Sequence, residues 1–302
     1  MLAHLQPGQR AELADLIARA SRAIGHPALP EPQRMAVAEE DLGGGQAKVA
    51  TITRGGRLVA CAVIFTSPDG SVALHAVVDP DQPGEGGAAA LRRSVLRGAL
   101  AALPVVTPAP TVRLWAMRAT ETDDRDATEL GFRPERELLQ LRVPLPLADE
   151  VVAAARPVAT RPFVIGQDED VWLSINNRAF DGHPEQGGWT RADLDERLGA
   201  PWVDLDGFLM GETPDGSVIG SCWTKVHRDA DPVLGEIYVV AVDPARHGEG
   251  WGRALTVAGL GWMAQHGSTL GMLYTGAENA AAVALYRSLG FTTDHTDRAY
   301  VR

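Results

Sequence analysis

Cysteine is scarce in this sequence: two residues in 302, Cys61 and Cys222. So few thiols exclude a disulfide scaffold, and no Cys/His cluster has the spacing of a metal site. Their surroundings, Leu58-Val59-Ala60-Cys61-Ala62 and Val218-Ile219-Gly220-Ser221-Cys222-Trp223, read as buried strand positions at equivalent places in two halves. One core thiol per half forms no intrachain bridge easily. No apolar run approaches the ~18 residues of a membrane-spanning helix, so no membrane partner is expected. The N-terminus lacks a charged stretch followed by an apolar core, so the expectation is no secretory leader and a cytoplasmic location. Positive charge is in deficit, with 28 Lys and Arg against 39 Asp and Glu, a formal net charge of −11. That balance argues against nucleic acid or an anionic membrane surface as a partner, although basic loops can still hold phosphates. A monomer is the expected state.

What the sequence does hold is one short pattern, twice. Val77-Val78-Asp79-Pro80 is followed by Gly84-Glu85-Gly86-Gly87-Ala88, and Ala241-Val242-Asp243-Pro244 by Gly248-Glu249-Gly250-Trp251-Gly252-Arg253. Each copy later returns to Leu-Gly-Phe, at Leu130-Gly131-Phe132 and Leu289-Gly290-Phe291. Asp243 lies 164 positions after Asp79, and Phe291 lies 159 after Phe132. Two matches at nearly constant offset argue for two domains of one fold, which the length accommodates.

Periodicity supports the same division. In the first half a helical pattern (Leu13, Leu16, Ile17, Ala20, Ile24) closes at Gly25 and a Pro-rich stretch follows. Strands are predicted at 48–53, 57–65 and 71–78, a helix at 87–103, a strand at 112–117, a helix at 124–130 and a strand at 138–143. Pro144, Pro146 and Pro157 then punctuate the chain. The boundaries drawn are a first domain over 1–146, a linker over 147–158 and a second domain over 159–302. In the second, Asp168 is the expected cap of one helix, and Thr190 with Asp193 forms a capping box for the next. Strands follow at 207–212, 217–227 and 235–242, a helix at 250–266, a strand at 270–275 and a helix at 280–289. Strands flanking helices in this order indicate an α/β (α+β) fold used twice.

Glycines after a strand and before a helix let backbone N–H groups turn toward an anion, and the helix N-terminus adds positive potential. Val239 through Leu255 has this form, but it is neither a Walker loop nor a dinucleotide fingerprint. Together with Asn279-Ala280-Ala281-Ala282-Val283-Ala284-Leu285-Tyr286-Arg287-Ser288-Leu289-Gly290-Phe291, it resembles the GCN5-related N-acetyltransferase (GNAT) family. That family's pyrophosphate loop reads Gln/Arg-x-x-Gly-x-Gly/Ala. The slots fall on His247, Gly250 and Gly252, with His247 a departure. The resemblance implies two tandem GNAT domains, each a mixed, mostly antiparallel sheet flanked by helices, and acetyl-CoA as co-substrate without a metal. It implies that backbone groups of Val240, Ala241 and Val242 meet the acetyl carbonyl and pantetheine arm. His247, Gly248, Glu249, Gly250, Trp251, Gly252 and Arg253 would wrap the pyrophosphate. Asn279 would hold the arm at the head of the segment Ala280 to Ala284, and a helix N-cap is the plainer role for it.

Acetyl transfer to an amine needs a base, donors for the carbonyl oxygen and a proton for the departing thiolate. By resemblance Glu236 is the base, working through water, and Tyr286 the acid. At the same places the first half has Val72 and Ala127, and Thr120 replaces Asn279. Catalysis is therefore expected in the second half only. The first half either binds acetyl-CoA through Ala76, Val77, Val78, Pro83, Gly84, Glu85, Gly86, Gly87 and Ala88, or is purely structural.

Asn177-Arg178-Ala179-Phe180-Asp181-Gly182-His183-Pro184-Glu185-Gln186-Gly187-Gly188-Trp189-Thr190, with Trp223-Thr224-Lys225-Val226-His227 and Gly235-Glu236-Ile237-Tyr238, narrows the likeness. It resembles the tandem branch of the family that acetylates the free cysteinyl amine of a cysteine–glucosamine–inositol conjugate. That likeness implies acceptor contacts from Glu185, Lys225, Glu236 and Tyr274, and from Glu39 of the first domain, with Glu40 competing. Acidic and hydrogen-bonding side chains suit a polyol carrying a cationic amine. Two alternatives stay open: a tandem acetyltransferase for another small amine, such as an aminoglycoside or polyamine, and an acyl-CoA-binding regulator without turnover.

Overall fold

A computed structural model of the chain describes residues 7–25, 27–38, 47–67, 70–82, 87–183, 186–228 and 230–302. Its elements are α1 (Pro7–Ile24), α2 (Glu31–Ala38), β1 (Ala47–Arg54), β2 (Arg57–Thr66), β3 (Val72–Val78), α3 (Gly87–Ala101), β4 (Val112–Ala116), α4 (Glu121–Glu129) and β5 (Arg133–Pro144). There follow α5 (Asp149–Ala153), β6 (Ala159–Pro162), α6 (Glu169–Ala179), α7 (Arg191–Leu198), β7 (Phe208–Glu212), β8 (Val218–His227), β9 (Leu234–Val242), α8 (Trp251–Gln265), β10 (Leu270–Gly276), α9 (Ala280–Ser288) and β11 (Thr292–Val301). The fold is mixed α/β, and the chain divides into two compact units. One takes Met1–Leu138, Gly276–Glu278 and His295–Arg302; the other takes Leu139–Thr275 and Asn279–Asp294.

In the first unit the strands run β1-β2-β3-β4-β11. The β1-β2-β3 neighbours are antiparallel, β3-β4 is parallel and β4-β11 antiparallel. Both faces are covered, so β2 is almost continuously buried rather than alternating. Ala60, Ala62 and Ile64 pack with Leu91, Val95 and Leu96 of α3. Cys61 and Val63 pack with Leu13 and Leu16 of α1 and Val37 of α2. The Pro-rich stretch of the sequence contains α2, because Pro32 falls in the first turn, where a missing N–H costs nothing.

In the second unit the order is β5-β10-β9-β8-β7-β6. One face of this sheet carries an aromatic cluster under α6 and α7: Phe163, Trp172, Phe208 and Trp223 are all buried. Trp223 stacks on Phe208 at 4.3 Å between ring centroids, and Phe208 on Phe163 at 4.4 Å. The other face is covered by α8 and α9 through Leu255, Leu260, Met263 and Leu289. Gly259 lets α8 lie close to β8, since a Cβ there would stand 2.4 Å from the Cys222 sulfur.

Two expectations change. Asp168 is the N-cap residue of α6, as expected, but its side chain makes no capping bond: its carboxylate accepts from the Val164 N–H at 2.8 Å and takes two bonds from Arg161, at 2.6 and 2.8 Å. A bidentate guanidinium outcompetes the helix N–H for the same oxygens. The two cysteines, both buried, are not equivalent. Cys61 faces Val77, two before Asp79, whereas Cys222 faces Val240, three before Asp243. One residue of register turns a side chain to the opposite face, so Cys61 packs under α1 and α2, and Cys222 under α8. Ser221 fills the Cys61 place and accepts a hydrogen bond from the Trp172 indole at 2.9 Å. Burial pushes both thiols up to about 12, so neither is a thiolate at neutral pH.

Candidate active site

A bulge in β9 organises the second unit's site. Trp223 faces Val239 but Thr224 faces Ile237, leaving Tyr238 as the extra residue. As a result Tyr238 and Val239 both turn to the aromatic face, while Ile237 and Val240 face α8. In the first unit β3 pairs with β2 from Val72 to Val78 without such a shift.

The second feature is an opening beside β9. Its pairing with β10 covers only Leu234–Glu236 against Leu270–Met272. The Asp243 N–H donates to the Ile219 carbonyl across β8. Backbone groups alternate along a strand, so the Ala241 N–H also turns to β8, whereas those of Val240 and Val242 turn toward β10, beyond the end of the ladder. The first unit repeats this. The β3–β4 pairing ends at His75–Trp115, and the Asp79 N–H bonds Val59. Ala76 and Val78 therefore stand where Val240 and Val242 do. A cavity of about 180 Å³ opens there, lined by His75 to Val78, Leu114 to Met117, Arg92, Asp123 and Asp126 among others.

After β9 the chain makes a tight loop into α8. Asp243 holds the turn by accepting from the Ala245 N–H at 3.1 Å. Gly248 and Gly250 have φ of 81° and 85°, a region open to glycine at little cost. Gly250 is the N-cap of α8, so the N–H groups of Trp251, Gly252 and Arg253 begin the helix without intrahelical acceptors. Arg156 closes over the loop: it donates to the Glu249 carbonyl at 2.6 Å and lies 3.4 Å above the Trp251 ring. The His247 ring approaches the Val242 carbonyl at 3.2 Å. Asn279 caps α9, its Oδ1 accepting from the Ala282 N–H at 3.1 Å. Cap formation uses the oxygen only, so the amide nitrogen keeps its donor role.

Glu236 and Lys225 face each other directly across β8 and β9. The Glu236 carboxylate also meets the His227 Nε2 at 2.6 Å. Lys225 is 8% exposed, its ammonium 4.5 Å from the Trp202 ring centroid and 5.8 Å from that of Tyr238. Tyr238 in turn accepts from Arg197 at 3.0 Å. The Tyr274 hydroxyl accepts from Gln140 at 2.7 Å. Tyr286 is buried on the α8 face, 5.7 Å from the Phe291 ring, and burial pushes its phenol up to about 12. By alternation with Ile237, Glu236 lies on the aromatic face, so the two residues belong to opposite faces of the sheet.

Glu39, Glu40 and Glu185, and Pro83 to Gly86 of the first loop, lie outside the described residues. Gly87 and Ala88 begin α3. At the Tyr286 place the first unit has buried Ala127, but the Tyr238 bulge moves the Glu236 place from Val72, which packs on the α3 face, to Ala73 on the other face. Thr120, at the Asn279 place, gives its N–H and hydroxyl to Asp123, at 2.8 and 2.6 Å. His227, Trp202, Gln140 and Arg156 were not singled out from the sequence. For His227 a signal existed, since it stands two residues beyond Lys225 on one strand and so shares its face. Among the described residues, no group of three or more His, Cys, Asp or Glu could hold a metal ion, and no helix is long and apolar enough to cross a membrane.

Glycine loop, bulged strand and opened strand pair together define an acetyltransferase fold. Residues 171–291 match the acetyltransferase (GNAT) family. A GCN5-related N-acetyltransferase from Sphaerobacter thermophilus superposes with a TM-score of 0.72 at 20% identity, over 99% of this chain and 94% of that one. A tandem GNAT protein from the clavulanic acid biosynthesis pathway gives 0.66 at 15% identity, over 100% and 96%. At those identities the likeness is one of fold.

The sequence relatives are more specific. Mycothiol acetyltransferase of Pseudarthrobacter chlorophenolicus is 37% identical over 95% of this chain and 90% of its own length. That of Streptomyces avermitilis is 38% identical over 99% and 93%, and that of Salinispora arenicola 42% over 74% and 75%. The chain belongs to the mycothiol acetyltransferase family, tandem members of the GCN5-related N-acetyltransferases, and is an acetyl-transferring enzyme.

Proposed function

We propose that the second unit transfers an acetyl group from acetyl-CoA to the free cysteinyl amine of a cysteine–glucosamine–inositol conjugate, forming mycothiol. The observation that carries this reading is the near full-length identity to relatives named for mycothiol. The donor fits the residues present. The Val240 and Val242 N–H groups face the gap beside β9, and the α8 N-terminus supplies positive potential for the pyrophosphate behind Gly248 to Arg253. The Asn279 amide holds the arm, with Ala280 to Ala284 forming the helix wall next to it.

The acceptor amine must be neutral to attack. An α-amino group titrates near ~8, so a carboxylate acting through one water suffices as base, and Glu236 takes that role. As the carbonyl oxygen gains charge, a strand N–H stabilises it. Bond cleavage leaves the CoA thiolate, and Tyr286, whose buried phenol stays protonated at neutral pH, gives it a proton. Lys225 and Tyr274 hold acceptor hydroxyls. The enzyme works as a monomer in the cytoplasm. The first unit, with Ala73 and Ala127 in place of base and acid, does no chemistry; its own gap beside Ala76 and Val78 remains as a donor-like groove.

The test is incubation with acetyl-CoA and the cysteinyl conjugate, with the product followed by mass. An acetylated conjugate, gaining one acetyl on nitrogen, is expected. Turnover on an aminoglycoside or polyamine with none on the conjugate would overturn the acceptor, and acetyl-CoA binding without any turnover would favour a regulator. Glu236→Gln and Tyr286→Phe should each lower kcat about tenfold or more, the usual range for acid–base groups.

A further inference from the structure

His227 is adjacent to the proposed base yet has no role in the reading above. It ends β8, where it pairs with Leu234, and reaches diagonally to the β9 residue that faces Lys225. Its Nε2 lies 2.6 Å from the Glu236 Oε2, a short charge-assisted contact. A carboxylate only accepts, so Nε2 must carry the proton that makes this bond. The imidazole side chain is 26% exposed and the carboxylate 14%. A part-exposed pair at a strand end contributes little to folding. It does restrict the carboxylate: with Oε2 engaged, Oε1 is the oxygen presented to a water or an acceptor amine. Among the described residues, His227 is the side chain that hydrogen-bonds Glu236.

We propose that His227 is a positioning residue for acetyl transfer, donating from Nε2 to Glu236 and fixing the rotamer in which Oε1 receives the acceptor's proton. The proposal rests on Glu236 being the base. The Lys225 side chain, across from Glu236, lies over Trp202 and Tyr238 on the same face. His227 and Lys225 thus approach the carboxylate's strand from positions two residues apart. Loss of His227 leaves the carboxylate free to turn, and a mispositioned base lowers the rate without changing donor binding.

The experiment is steady-state kinetics of the full chain with acetyl-CoA and the cysteinyl conjugate. The variants are His227→Ala, His227→Gln, His227→Asn, Glu236→Gln and the double variant Glu236→Gln/His227→Ala. His227→Ala should lower kcat about tenfold, within the range of acid–base effects, with KM for acetyl-CoA unchanged. Glutamine places an amide nitrogen near the Nε2 position and should restore kcat to within about threefold; asparagine, one bond shorter, should not. In the double variant, removing His227 should cost nothing further, because its effect acts through Glu236. Wild-type kcat in His227→Ala, equal losses in Gln and Asn, or an undiminished loss in the Glu236→Gln background would each overturn the proposal. If His227→Ala does not fold, the Gln and Asn comparison decides. Wild-type kcat in Glu236→Gln would instead remove the base assignment itself.

Discussion

Arg178 of α6 donates to the Asp243 Oδ2 at 2.8 Å, while the other oxygen of Asp243 holds the turn at Ala245. The first unit builds the same device: Arg19 of α1 donates to Asp79 Oδ2 at 3.1 Å and the Asp81 N–H to Oδ1 at 3.2 Å. The repeated Asp-Pro is therefore architectural, tying a helix to the end of the strand that precedes the glycine loop. It persists in both halves whether or not the neighbouring residues can do chemistry.

The two aspartates differ in burial, and that sets their expected cost. Asp79 is 1% exposed and also meets Arg57 at 3.4 Å. Its replacement by Asn should destabilise the protein by about 2 kcal/mol, the scale of a hydrogen bond to a charged group. Arg178 is half exposed, so Asp243→Asn should cost under about 1 kcal/mol. Denaturant melts check the order. Kinetics should show the reverse: only Asp243→Asn raises KM for acetyl-CoA. A matching rise in Asp79→Asn would assign the first loop a part in donor binding during turnover.

Tyr286 should remain a phenol far above neutral pH. Burial among Leu141, Ile237 and Leu289 disfavours the phenolate and, with the nearby Cys222, moves it up to about 12 from an ordinary 10. The raised value means its stabilising contribution is full below pH ~10 and is lost as pH rises through about 12. An ultraviolet difference titration of wild type against Tyr286→Phe reads this directly. The missing ionisation step should fall near 12, and a step near 10 would place the hydroxyl in water and weaken its assignment as the acid.

Much of the element order was legible because it depends on local pattern: Thr190 and Asp193 form the expected capping box, with the Thr190 N–H and hydroxyl donating to Asp193 at 2.7 and 2.6 Å. Gly250 before α8 and Gly290 after α9 stand where a positive φ is needed. What local pattern could not show was register. The cysteines looked equivalent because their neighbours are alike, yet Cys61 lies opposite the second residue before Asp79 and Cys222 opposite the third before Asp243; farther along β9 the extra residue Tyr238 forms a bulge that shifts the pairing by one. The same bulge decides which side chains flank Glu236, so the contact with His227 was hidden for the same reason. Arg156 was out of reach because its bond to Glu249 spans 93 positions. The helix α5 was missed because Pro144, Pro146 and Pro157 suggested a linker.

Asp168 should make stability fall in acid. The Arg161 hydrogen bonds, assisted by the Val164 N–H, hold its carboxyl below the usual carboxylate range against the opposing effect of burial. A depressed value means the contribution is present above the ordinary aspartate pKa and is lost as pH falls through the folded-state value. Melts of wild type and Asp168→Asn should differ at pH 7 and converge below pH ~3. A gap that stays constant across this range would locate the effect in packing rather than charge. Arg161 is about one-third exposed, so salt should narrow the gap at pH 7 as well.

Gly250 and Gly252 occupy neighbouring slots in the loop but face different constraints. At Gly250 φ is 85°, so a side chain is strained wherever there is space, and Gly250→Ala should cost about 1–2 kcal/mol. At Gly252 a Cβ would meet Leu285 at 3.6 Å and Val242 at 4.0 Å, ordinary contacts within a helix. Gly252→Ala should therefore melt at or slightly above wild type, since alanine favours the helix by up to ~1 kcal/mol. If Gly250 shapes the backbone that receives the pyrophosphate, KM for acetyl-CoA should rise several-fold more in Gly250→Ala than in Gly252→Ala. Equal KM values in two folded variants would show that the left-handed turn serves chain geometry alone. A larger rise in Gly252→Ala would move the closest approach of the phosphate to the second position of α8.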